Sequence, residues 1–297
     1  MDPALTRQTL AAPALAHAPA VNTRGATLRA VYIIWYRDLL RYYRDRWRLL
    51  TSLAQPLLFL VVFGTGLSAS LRGATAGFGG TPGLHYQQFI YPGIIGMAVL
   101  FTAIFGAMSI VWDREFGFLK EVLVAPIHRS AVAVGKTLGG ATQAMLQGLI
   151  LLLLAPVVGV GLTWQGVLAL VPLIFIYAFA LSALGVAVAA RMRSMQGFQV
   201  VMNFLMMPIF FLAGALFPLV GLPLWLTVLS RLDPATYGID PLRRTVLGAG
   251  RVPERVLDGM GVSLFGQTLA IWTEELLLLG FGLAMLALAI RSFQHRD

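Results

Sequence analysis

Six stretches of about twenty consecutive, mostly apolar residues dominate this sequence and leave few folds open to it. They are 49–69, 88–112, 141–161, 166–190, 198–217 and 270–290. A helix rising 1.5 Å per residue needs roughly 20 residues to cross about 30 Å of hydrocarbon. Lipid offers no partner to a free N–H or C=O, so a spanning segment is either a helix or a strand of a closed barrel. Barrel strands alternate apolar and polar residues; these runs do not. The chain is expected to be an all-α integral membrane protein with six transmembrane helices, 49–290. Only 12% of its residues are charged and 58% are hydrophobic, against about 25% charged in a soluble domain.

Orientation follows from the basic residues, which collect on the cytoplasmic side of membrane proteins. The N-terminal region, the loop after the second span, the loop after the fourth and the tail 291–297 together carry sixteen Lys and Arg; the opposite side carries six. Both termini are expected in the cytoplasm. The net charge of +9 thus reflects topology, and no nucleic-acid partner is expected. With no Cys and only four scattered His, thiolate chemistry is excluded and a metal site has little to be built from.

Residues 1–25 are rich in Ala and Pro and read as a disordered cytoplasmic tail, not a signal peptide. In 26–48, Leu28, Val31, Tyr32, Trp35, Leu39, Tyr43 and Trp47 recur at steps of three and four, while Arg37, Arg41, Arg44 and Arg48 line another face. The spacing predicts an amphipathic helix in the headgroup layer, with Trp and Tyr as anchors. It serves either as a topology anchor alone or also as a contact for a cytoplasmic partner. Gly135 and Gly139, and Gly93 and Gly96, permit close approach of helices.

Two loops carry most of the information. The first, Asp113–Ser130, opens with a short amphipathic helix, 113–124. Asp113 is suited to cap it, Glu115 to face the positive end of its dipole, and Pro126 blocks its continuation. Such a connector either floats at the interface or acts as a rigid lever between a cytosolic motor and the bundle. The second, 218–266, lies outside. Asp240-Pro241 reads as a helix cap followed by Pro at the first helical position, and Leu222–Leu229 is apolar enough to stay in the membrane as a re-entrant or interfacial helix.

At the mouth of the third span, Gly135-Lys136-Thr137 resembles the end of a phosphate-binding loop. That motif requires Gly at position 130, where Ser130 stands. Lys136 is instead expected to reach the headgroups. Glu274 and Glu275 fall inside the last span, because 276–290 alone is too short to cross. They face either a pathway or a dimer interface, or the headgroups. Aromatic residues crowd spans two and five, including Tyr91, Phe211 and Phe217; they line a greasy passage or simply contact core and lipid.

The run from Asp113 to Pro126 resembles the cytoplasmic signature of ABC-2 type permeases, the membrane subunits of ATP-binding-cassette exporters. Tyr91-Pro92-Gly93, the stretch Phe211–Pro218 and the stretch Asp233–Arg243 carry the same resemblance, which extends from about Ala26 to Arg291. It is nearest to the branch of drug-exporter and lipo-oligosaccharide-exporter permeases. The resemblance implies an export permease of a bacterial cytoplasmic (inner) membrane, moving a drug, a lipid or a lipid-linked glycan. It implies a homodimer of this chain with two copies of a cytosolic ABC ATPase, which would hold the ATP and Mg; this chain would bind no cofactor and would not itself be an enzyme. It assigns docking on the ATPase to Asp113, Arg114, Glu115, Gly117, Leu119, Lys120 and Glu121. The stretch before the last span would be a short hairpin dipping back from the outer face. The candidate path or dimer interface comprises Tyr91, Phe211, Phe217, Glu274 and Glu275. An ion-coupled secondary exporter is the alternative. A membrane-embedded enzyme finds no nucleophile elbow or metal-ligand spacing in the spans.

Overall fold

A computed structural model describes residues 23–71, 86–116, 128–249, 252–253, 256–257, 260–264 and 267–294. The chain forms helices α1 (Thr23–Arg44), α2 (Arg46–Leu71), α3 (Tyr86–Gly106), α4 (Met108–Glu115), α5 (Arg129–Leu152), α6 (Trp164–Ala189), α7 (Met195–Leu212), α8 (Leu224–Leu232), α9 (Thr236–Ala249) and α10 (Ile271–Gln294). Two short antiparallel strands, β1 (Ser263–Leu264) and β2 (Gln267–Thr268), precede α10. Continuous α3–α4, α6, α7 and α10 are long and apolar enough to cross a membrane. Phe204, Leu168, Leu276 and Leu283 are exposed along them, as suits helices solvated by lipid. The chain is an all-helical integral membrane protein.

The core is built on α3, α5 and α6, which pack against one another, with α10 laid along α6. Small residues permit this closeness. Gly140 faces Ser182, Gly148 faces Ile174 and Gly185 lies against the backbone of Ile104. The N-caps are local and legible: the hydroxyls of Thr163 and Ser194 accept the N–H groups of Gly166 and Gly197 at 3.1 and 3.2 Å.

Three features differ from the sequence reading. The third long helix begins at Arg129 and ends at Leu152, well ahead of the expected 141–161. It carries Lys136, Thr137, Gln143 and Gln147, all buried, and tertiary partners engage Lys136, Gln143 and Gln147. Helix α1 does more than rest on the headgroup layer. Ala30, Ile34, Asp38 and Tyr42 form a buried stripe that packs on α5, with Gly135 facing Ile34 and Gly139 facing Asp38. Those two glycines therefore serve a contact within the chain. Tyr32, Tyr36 and Tyr43 remain exposed on the opposite side of α1.

Pro56 in α2 shows how a helix break is repaired. It offers no N–H to the carbonyl of Ser52, four residues back. That carbonyl accepts instead from Gln147 Nε2 at 2.9 Å, and Gln147 Oε1 accepts from Ser52 Oγ at 2.9 Å and Tyr42 Oη at 3.0 Å. One buried amide thus pins α1 and α2 to α5.

Candidate functional site

Buried charge gathers at the two opposite ends of the bundle. At the first end, α4 leads into the connector that begins at Phe116. Asp113 lies inside α4 rather than capping a new helix: the N-cap is Ala107 and the helix closes at Phe116. Lys136 Nζ sits 3.1 Å from Asp38 Oδ2, 3.2 Å from Asp113 Oδ2 and 2.9 Å from Ser109 Oγ. Arg37 Nη2 approaches Asp113 Oδ2 at 3.5 Å, and Gln143 Nε2 donates to the Asp38 carbonyl at 3.0 Å. Two cations balance two carboxylates across α1, α4 and α5. Lys136 is 4% exposed, so it does not reach for headgroups. The reason is electrostatic: two acids on neighbouring helices face it at contact distance.

The next two residues fasten the same helix elsewhere. Arg114 donates to the carbonyls of Ala190 at 3.1 Å and Met192, oxygens at the C-terminal end of α6, where helix carbonyls lack partners and the dipole is negative. Glu115 Oε2 accepts the N–H of Met195 at 3.0 Å, at the positive N-terminal end of α7. Three consecutive side chains thus bind the foot of the connector to α1, α5, α6 and α7. Gly117, Leu119, Lys120 and Glu121 lie outside the described residues, as does the rest of the expected helix 113–124.

At the opposite end, α9 runs antiparallel to α6. Gly238 lies against the ring of Tyr177 and Ala249 against Gly166, so the start of α9 sits about 20 Å along α6 from Trp164. Arg244 pairs with Asp240 at 3.0 Å and with Glu274 of α10, and Asp240 Oδ2 also accepts the N–H of Val262 at 3.1 Å. Arg243, 2% exposed, donates to the carbonyls of Gly214 and Ala215 and lies 4.2 Å from the centre of the Phe89 ring. Gly214 adopts a left-handed φ of 66°, which turns the chain after α7 so that these carbonyls face inward.

The residues named for a path or dimer interface differ in their surroundings within the chain. Tyr91 is buried and its hydroxyl donates to the carbonyl of Leu151 at 2.7 Å, closing the end of α5. Phe211 is exposed and Phe217 half-buried. Glu274 is fully buried within the chain against Arg244, so it is no headgroup residue; Glu275 is buried with neither carboxylate oxygen hydrogen-bonded. Sequence reasoning missed Asp38, Arg243 and Arg244, and read Asp240 as a helix cap, whereas Asp240 and Pro241 lie inside α9. The available signal was ionisable residues at membrane depth, which pair with one another or mark function. Among the described residues no group of three or more His, Cys, Asp or Glu is placed to hold a metal ion.

These features define a polytopic helical membrane protein in which Asp113, Arg114 and Glu115 fasten the end of α4 to four other helices. The profile of the ABC-2 type transporter family matches residues 29–247, and the chain belongs to that family. It is 28% identical over 225 residues to Nodulation protein J of Rhizobium leguminosarum bv. trifolii, covering 75% of this chain and 80% of that protein. It is 27% identical over 237 residues to the inner membrane transport permease YadH of Escherichia coli K12, covering 75% and 85%. It is 26% identical over 218 residues to the putative transport permease ycf38 of Cyanophora paradoxa, covering 73% of each. Such permeases are membrane components of ABC transporters and normally pair with an ATPase subunit.

Proposed function

We propose that this chain is the permease subunit of an ATP-driven exporter for an amphiphilic cargo, set in a bacterial inner membrane with both termini in the cytoplasm. Two copies enclose the path, and two cytosolic ATPases push on the connector 113–124. The observation that carries the reading is the fastening of Asp113, Arg114 and Glu115 to four helices at once. Force applied just beyond Phe116 reaches α1, α5, α6 and α7 without passing through a soft loop. Reversing a gate from 1:99 to 99:1 takes about 5.5 kcal/mol of differential binding, which only a stiff attachment transmits.

Six spans fit this layout if α2 and α5 join the four apolar helices. At 26 and 24 residues they measure about 39 and 36 Å, enough to cross. The placement of sixteen basic residues on the Asp113 side supports that end as cytoplasmic. The antiparallel run of α9 along α6 supports a hairpin of α8 and α9 re-entering from the outer face.

Replacing Glu121 with Arg, or Gly117 with Trp, is expected to cut cargo export and co-purification of the ATPase while membrane insertion stays intact. Normal export with the ATPase still bound in both variants overturns the docking role. Arg114 and Glu115 are engaged within the bundle at α6 and α7, so here they transmit rather than dock, and their double replacement by Ala is expected to keep the ATPase bound yet lower export at least tenfold. Export and co-purification measured side by side separate the two. An ion-coupled exporter is favoured by one observation, the unpartnered buried carboxylate of Glu275. Export that survives loss of the ATPase and collapses with the proton gradient would establish it.

A further inference from the structure

A cavity of about 290 Å³ lies beside the α8–α9 hairpin, between the chain following α7 and the β1–β2 pair. Its polar lining is unusual for its donors. Arg231 reaches only Ser263 Oγ, at 3.5 Å, and no carboxylate among the described residues pairs with it. The hairpin's other two arginines have partners within the chain, Arg244 in Asp240 and Glu274, and Arg243 in backbone carbonyls. Ser230 also lines the cavity, is 2% exposed, and its hydroxyl has no hydrogen-bond partner. Ser263 Oγ accepts from Arg231, which leaves its own proton free to donate.

A partly exposed guanidinium with no acid beside it among the described residues has donors free to take an anion. Its planar fork takes two oxygens of an anion, and Ser263 and the buried, unpartnered Ser230 line the same cavity, hydroxyls that a further oxygen would engage. The volume is at the low edge of small-molecule pockets, which begin near about 300 Å³, so it suits a headgroup and not a whole amphiphile. Val220 lines the cavity and is 58% exposed, and Trp225 on the same hairpin is 65% exposed, an apolar border along which a chain attached to the headgroup can lie. We infer that this cavity is a binding site for a phosphate-class oxyanion, held by Arg231, Ser230 and Ser263.

The test uses the full chain alone in maltoside micelles, without nucleotide or ATPase, so its failure leaves the permease reading untouched. Calorimetric titrations use inorganic phosphate, lysophosphatidate and, as an uncharged control, a monoacylglycerol. Lysophosphatidate is expected to bind at least tenfold more tightly than the monoacylglycerol, and Arg231→Gln to weaken it at least tenfold. Arg231→Lys is expected to lose less than Arg231→Gln, and Ser230→Ala to lose a few-fold. Inorganic phosphate binding that Arg231→Gln abolishes supports the site with a free anion as its source; binding of lysophosphatidate alone supports it with an amphiphile's headgroup. No binding of either phosphate probe, or Arg231→Gln affinity within twofold of the unaltered chain, overturns the inference. Should Arg231→Gln not fold, Ser230→Ala decides, since it removes only a hydroxyl with no internal partner: unchanged affinity there overturns it as well.

Discussion

Replacing Lys136 with Met is expected to destabilise the protein by about 3–5 kcal/mol, the cost of removing one partner from a buried ion pair. The ammonium is 4% exposed and neutralises Asp38 and Asp113, which are themselves 6% and 7% exposed. Without it, two carboxylates on α1 and α4 are left within a few ångström of one another, with only the half-exposed Arg37 nearby. Thermal unfolding followed by Trp fluorescence in micelles should show the midpoint fall by on the order of 10 °C. The triple replacement Asp38→Asn, Lys136→Met and Asp113→Asn is expected to recover most of that loss, because deleting a whole buried ion cluster is often close to neutral. A single variant as stable as the unaltered chain, or a triple variant no better than the single, would show that the cluster does not hold α1, α4 and α5 together.

The second large effect is expected at the other end. Arg244→Met leaves Asp240 and Glu274 buried without their shared cation and removes the donor to the Leu269 carbonyl, a 2.8 Å bond. The α9 helix should then release from α10, again at a cost of about 3–5 kcal/mol. Limited proteolysis is the sharper measurement here, since the loss is local: cleavage within 218–266 should accelerate at least tenfold while α3, α5 and α6 stay protected. Adding Glu274→Gln is expected to slow that cleavage, because an amide is far cheaper to bury than an unpaired charge. Equal cleavage rates for Arg244→Met and the unaltered chain would mean that packing of Gly238 on Tyr177 and of Arg243 under Phe89 suffices to hold the hairpin.

These two clusters also explain what could be read in advance. The apolar helices were legible almost to their ends: 166–190 and 270–290 correspond to Trp164–Ala189 and Ile271–Gln294, since a span is set by length and hydropathy with no reference to neighbours. Helix α5 was misplaced by about twelve residues at its start because hydropathy counts Arg129, Lys136 and Thr137 against a membrane location. The partners of the buried polar residues on α5, namely Asp38, Ser109, Ser182 and Ser52, lie 27 to 105 residues away in the chain and carry no local mark. Asp113 looked like a helix cap because Asp before an apolar run often is one; only its position against Lys136 shows it inside α4.

Local composition therefore determined the membrane class and most span positions. Each depends on one helix and its solvent. The pairing of charges was decided by tertiary structure alone: which arginine meets an acid, which meets a carbonyl, and which is left facing a cavity. Coulomb energy in a low-dielectric interior depends on separation in space, and sequence distance does not encode it. Arg231, Arg243 and Arg244 lie within fourteen residues of one another, yet the fold gives each a different partner.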